Sequence, residues 1–148
     1  MDRLDCPSPE VWQERQQWVE ELIFSYENKG GSYLLSEQAC ALTADVQSAF
    51  CAGAWVAVVV LAVSVVDAQL QETEVPGFKG NTKDLIDVLG LNPKLHRLRK
   101  RRNQLVHVNI DNPAITVDQQ SAERKDLEAE AREAIELMFE AFFINAGI

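Results

Sequence analysis

The sequence predicts an all-α domain, an up-and-down bundle of four to five helices arranged around a long central apolar helix. Two observations predict it. Apolar residues recur with helical spacing through most of the chain, and capping pairs such as Ser8-Pro9 and Asn92-Pro93 divide it into segments. No stretch alternates apolar and polar residues long enough to demand a sheet, and no internal repeat or low-complexity tract is present. A chain of 148 residues with 47% apolar content suffices for one ordinary core. The expectation is a single domain over residues 1–148, with its core at about 9–145.

The first helix starts at Ser8-Pro9, carries Val11, Trp12, Trp18, Val19, Leu22 and Ile23, and stops at Gly30-Gly31. Ser36 caps a second, long helix that runs through Ala49 and an apolar run to about Glu72, where Val75-Pro76-Gly77 breaks it. Asn81-Thr82 starts a short helix carrying Leu85, Ile86, Val88 and Leu89, and Gly90 stops it. Asn92-Pro93 repeats the signal for the next helix, a loop follows around Asp111-Asn112-Pro113, and a last helix spans about Asp118 to Asn145. Its broad apolar face is Leu127, Ala131, Ala134, Leu137, Met138, Ala141 and Phe142.

The apolar run from Phe50 to Val66 is seventeen residues without a charge, the short limit for crossing a bilayer. Asp45 and Asp67 bracket it, and the Lys or Arg anchors of membrane helices are missing from its ends. Small residues along it, such as Ala52, Gly53, Ala54, Ala57 and Ala62, suit a bundle helix approached closely by its neighbours. Cys6, Cys40 and Cys51 form an odd set without zinc spacing, and each reads as a small buried or semi-buried hydrophobe. No basic segment followed by an apolar one opens the sequence. These features together predict a cytoplasmic, reduced protein with no membrane association.

The net charge of −9 and a pI near 4.7 argue against a protein that holds nucleic acid with its whole surface. The charge is unevenly placed, however. Lys94, Arg97, Arg99, Lys100, Arg101 and Arg102 supply six of fourteen basic residues within nine positions. Any contact with a polyanion must therefore be local. No Gly-rich phosphate loop, paired metal carboxylates or Cys/His cluster is present, so neither a cofactor nor a metal is expected.

Beside that run stands Arg102-Asn103-Gln104-Leu105-Val106-His107, a cation, an amide and an imidazole in six residues. On a helix, Leu91, Leu95, Leu98, Leu105 and Val106 share one stripe, and Arg102 falls near its centre. A guanidinium where leucine is expected needs a partner, since burying an unpaired charge costs several kcal/mol. Either it meets a carboxylate inside the bundle, for which Asp67 is the candidate, or it opens into a cleft or subunit interface. Asn103 and His107, four apart, share a face. Arg102 and His107 do not: five residues put them about 140° apart around the axis and about 7.5 Å apart along it.

The hexamer resembles the signature of the HEPN superfamily, an arginine, a polar residue, three others and a histidine. A weaker resemblance in element order covers roughly residues 40 to 140: a small-residue apolar helix ending in Asp67, a leucine-rich segment, then Leu98-Arg99-Lys100-Arg101-Arg102-Asn103 leading to His107. The resemblance implies a helical bundle and metal-independent endoribonuclease activity. It also implies a composite site formed where two motif helices meet in a homodimer, and a toxin or defence role with an antitoxin or regulatory partner. The tyrosine found two residues beyond the histidine in one toxin subgroup is Asn109 here, which puts that subgroup in doubt.

On this reading Arg102, Asn103 and His107 are the catalytic residues and RNA, or a nucleotide, is the partner. His107 is the base for a ribose 2′-hydroxyl, since imidazole titrates near neutral pH. Arg102 binds the phosphate and Asn103 orients the imidazole or a phosphate oxygen. Asp67 holds Arg102 from behind, and Arg99, Lys100 and Arg101 attract the RNA backbone. The rival is a non-catalytic module that binds nucleotide, RNA or protein through the same cleft.

Overall fold

The structure is a computed structural model and describes residues 4, 6–28, 36–71 and 80–143. Among these, seven α-helices and no strand are present: α1 Pro9–Glu27, α2 Glu37–Ala52, α3 Trp55–Gln69, α4 Thr82–Val88, α5 Lys94–Val106, α6 Val117–Ala122 and α7 Arg124–Phe143. The expected terminators at 30–31, 72 and 75–77, and the expected end at 145, lie outside the described residues.

Helix α1 starts as its sequence dictates. Ser8 Oγ accepts a hydrogen bond from Val11 N at 3.2 Å, and Pro9 occupies the first turn. Ser36 caps α2 in the same way, accepting from Ala39 N at 3.1 Å.

The single long helix expected from Ser36 to about Glu72 is two helices, which corrects the long central apolar element. Gly53 adopts φ 79°, a left-handed conformation that residues with a Cβ rarely take. Its N–H donates to Phe50 O at 3.1 Å and that of Ala54 to Ala49 O at 2.9 Å, a Schellman-type ending that satisfies the last carbonyls of α2. Apolar character alone cannot signal this reversal, because the uncharged run from Phe50 to Val66 continues straight across it. Two guanidiniums complete the corner: Arg15 donates to Cys51 O at 3.1 Å and Arg124 to Gly53 O at 2.5 Å, and both lie over the Trp55 ring.

After the corner α3 folds back on α2. Ser36 N donates to Gln69 Oε1 at 3.0 Å, so the capping residue of α2 meets the last residue of α3. Helix α3 packs against α2, α5 and α7 and is the central element, with Val58, Val59, Ala62, Val63, Val65 and Val66 buried. Its fifteen residues extend about 22 Å, short of the roughly 30 Å hydrocarbon core of a bilayer. No helix among the described residues is long and apolar enough to cross a membrane.

Ring contacts and side-chain pairs fix the directions of the remaining helices. Trp18 lies against Phe50 with centroids 5.0 Å apart, which with the Arg15 contact to Cys51 sets α1 antiparallel to α2. Arg132 lies over Trp18, and Tyr26 stacks on Phe143 at 5.2 Å, so α1 and α7 run the same way. Glu140, Glu133 and Glu130 of α7 pair in turn with Asn92, Arg97 and Arg101, so α5 runs opposite to α7. Helices α1, α2, α3, α5 and α7 thus alternate in direction along the chain.

Short elements surround this frame. Asn81 and Asp84 form a reciprocal capping box for α4, and Gly90 at φ 64° ends the turn that follows it. The last helix expected from about Asp118 is broken at Glu123. The six residues of α6 bury nothing, so no packing holds them in line with α7. Two cysteines depart from expectation: Cys6 and Cys40 are exposed, and only Cys51 is buried.

Candidate functional site

Helix α5 presents two different faces. Leu91, just before it, with Leu95 and Leu98 within it, is buried against the bundle, and Leu105 packs at the edge of the core. The expected stripe frays at its end, where Val106 is exposed. Asn92 Oδ1 accepts from Lys94 N at 3.0 Å and so fixes the first turn.

Arg102 lies on the inward side. Its side chain is 18% exposed, and its Nη2 donates to Asp67 Oδ2 at 3.4 Å, across to the end of α3. Asp67 is thus the internal partner expected for a guanidinium in a leucine stripe. The pair is long and incomplete, for the second oxygen, Asp67 Oδ1, is buried and has no hydrogen-bond partner among the described residues. Arg102 Nε meanwhile donates to Asn103 Oδ1 at 2.9 Å. That bond sets the amide: its oxygen faces the guanidinium, leaving the Nδ2 hydrogens free to meet an acceptor.

The outward side of α5 lines an open groove of about 910 Å³, walled by α4 and by the 108–114 loop. Asn103 and His107 both line it, whereas Arg102 does not. The structure therefore brings together two of the three predicted catalytic residues in one chain and turns the third away. Asn103, bonded to Arg102 and open to the groove, connects the two sides. His107 is the residue at which α5 ends. Its N–H donates to Asn103 O at 3.1 Å, its backbone is extended at φ −109° and ψ 127°, and its side chain is exposed.

The three basic residues expected to attract RNA separate into two kinds. Arg99 and Lys100 line the groove and form no ion pair with the described residues, and Arg99 Nε is buried without a partner. Arg101 is engaged: its Nε donates to Glu130 Oε1 at 2.6 Å and its Nη1 to Ala114 O at 2.9 Å, clamping the groove wall to α7. Asn109 shapes the same wall, since its Oδ1 accepts from the N–H groups of Asp111 and Asn112 at 3.2 Å each.

Sequence reasoning missed His96 and Lys83. His96 Nε2 lies 2.7 Å from Asp87 Oδ1, and both histidines of the chain line the same groove. A signal existed in the sequence: His96, Arg99, Lys100, Asn103, Gln104 and His107 sit at offsets 0, 3, 4, 7, 8 and 11, which is one helical face. Lys83 enters the groove from α4 and could not be placed from spacing on α5.

Among the described residues no group of three or more His, Cys, Asp or Glu side chains could hold a metal ion. Comparison with family models, curated proteins and solved structures returns no match to this chain.

Proposed function

We propose that the chain is an RNA-binding protein that acts as a metal-independent endoribonuclease of HEPN type, with His107 as general base. The observation that carries this reading is the content of the groove. In a chain of net charge −9, whose other cations on α5 are largely paired with acids, Arg99, Lys100 and Lys83 face one open groove without ion pairs to the described residues and share it with an exposed imidazole. Such an arrangement attracts a phosphate backbone locally while the rest of the surface repels it.

His107 takes the proton from a ribose 2′-hydroxyl, and that oxygen attacks the adjacent phosphorus. The P–O bond to the next nucleotide breaks, the departing 5′ oxygen takes a proton from water and His107 releases its proton to solvent, leaving a 2′,3′-cyclic phosphate and a 5′-hydroxyl. Asn103, its oxygen held by Arg102, donates its amide hydrogens to a phosphate oxygen. Within one chain Arg102 positions Asn103. In a homodimer, the arrangement the resemblance implies, Arg102 binds phosphate in a cleft shared by both subunits. The exposed apolar residues next to His107 support such pairing: Val106, and Val108 and Ile110 at 91% and 90% exposure.

One observation favours a second reading, a non-catalytic RNA- or nucleotide-binding module: Arg102 is turned to Asp67 and not to the groove. Cleavage of an end-labelled RNA pool in excess chelator separates the two. Loss of cleavage in His107→Ala with RNA binding kept, and cyclic phosphate ends from the parent, support the nuclease. Binding without cleavage by a folded parent assigns the module. A toxin or defence role with an antitoxin partner belongs to the same proposal and is tested by growth arrest on expression.

A further inference from the structure

We infer that the groove carries a second anion subsite, made by Lys83, His96 and Arg99, so that its ligand is an RNA strand longer than a dinucleotide and not a free nucleotide. This rests on the RNA-binding reading and adds the length of ligand the groove is built for.

Eleven residues separate His96 from His107, which returns the helix to within about 20° of the same face and advances it about 16 Å. A single phosphodiester cannot touch both imidazoles, so the two histidines are not an acid and base pair for one bond. They mark the two ends of one track. At the His107 end stand Asn103 and Gln104, which are uncharged. Arg99 stands one turn on from His96 and Lys100 just beyond it, while Lys83 lines the groove from α4, one turn before the Asp87 that holds His96; all three carry charge and form no ion pair with the described residues. Arg99 Nε, buried without a partner, is an unsatisfied donor within that charged stretch.

The contact between His96 and Asp87 has a simple structural role, fastening α4 to α5. It leaves more than a fastening. With Nε2 on the carboxylate, His96 Nδ1 has no partner among the described residues, and Asp87 fixes the ring plane in which that nitrogen stands. The carboxylate would repel an anion, but it is turned to the imidazole, and Lys83 and Arg99, which form no ion pair with the described residues, line the same groove. Phosphates on one stacked strand advance about 3.4 Å each along the axis, so the track accommodates about five of them. A mononucleotide or dinucleotide occupies one end only.

The test measures affinity of the parent for labelled 2′-O-methyl RNA, which has no free 2′-hydroxyl to attack, at two, four, six and ten nucleotides. The same series is run on Lys83→Ala and on a Lys83→Ala/Arg99→Gln double variant, each checked for helicity. The expected result is that the parent binds the hexamer about tenfold or more tighter than the dinucleotide, as added phosphate contacts require. The variants should flatten that ratio, weakening the hexamer more than the dinucleotide, because the longer strand is the one that spans both ends. Lys83 is exposed, so its variant tests the subsite even if the double variant unfolds. A parent ratio near one, or a ratio that Lys83→Ala leaves unchanged, overturns the second subsite and leaves RNA binding standing. A folded parent that binds no length overturns both.

Discussion

Arg102 shows how one side chain serves two neighbourhoods. Its terminal nitrogen is drawn to Asp67 on α3 and its Nε orders Asn103, so its removal leaves a partly buried carboxylate with no partner and an amide free to turn. Arg102→Ala is expected to cost about 1–3 kcal/mol in urea unfolding, as loss of one member of a partly buried pair does. His107→Ala should leave stability unchanged within about 0.5 kcal/mol, because the ring is exposed and only its backbone contributes to the end of α5. It should lower RNA cleavage by about 100-fold or more, the usual share of a general base. A cleavage rate untouched by His107→Ala would remove the catalytic proposal. Cys51 offers a separate check at this scale. Burial pushes its thiol up, outweighing the pull of Arg15 in the other direction, so it should resist alkylation under native conditions while Cys6 and Cys40 react.

At the scale of elements, the corner at Gly53 and the clamp at Arg101 hold the frame and the groove wall. A Cβ on Gly53 would lie 3.1 Å from Arg15 Nη1 and would sit on a backbone at φ 79°. Gly53→Ala should therefore destabilise the chain by about 1 kcal/mol or more by thermal or urea unfolding, through backbone strain first and displacement of Arg15 second. Arg101 ties the carbonyl of Ala114 to Glu130 on α7. Arg101→Ala should raise amide hydrogen exchange over 108–114 while α7 keeps its protection, since the loop buries little and depends on that clamp. Exchange unchanged in this variant would show that the Asn109 turn alone holds the wall.

Over the whole molecule, acidity and a local cationic groove act together. The three groove cations that form no ion pair with the described residues should give a modest salt dependence of RNA affinity, a log–log slope of about −2 for single strands, and nothing like that of a protein basic throughout. A slope near zero at constant pH would contradict phosphate contact. Homodimerisation is checked by light scattering at micromolar concentration, where a monomer would remove the shared cleft and leave Arg102 as a positioning residue.

The sequence by itself determined the helical class and most helix starts, because capping depends on a residue and its neighbours within one turn: Ser8, Ser36 and Asn81 act where they stand. It also singled out Asp67 as a partner for Arg102, since a charge in a leucine stripe requires one. Other features needed the tertiary structure, because they depend on residues distant in the chain. The break at Gly53 is held by Arg15 and Arg124, and Arg101 is turned from RNA-facing candidate to clamp by Glu130. The groove joins Lys83 of α4 to a face of α5 whose periodicity was visible but whose opposite wall was not. Local chemistry is written in short spacings, whereas which cations remain unpaired is decided only when the acids of other helices have been brought to their places.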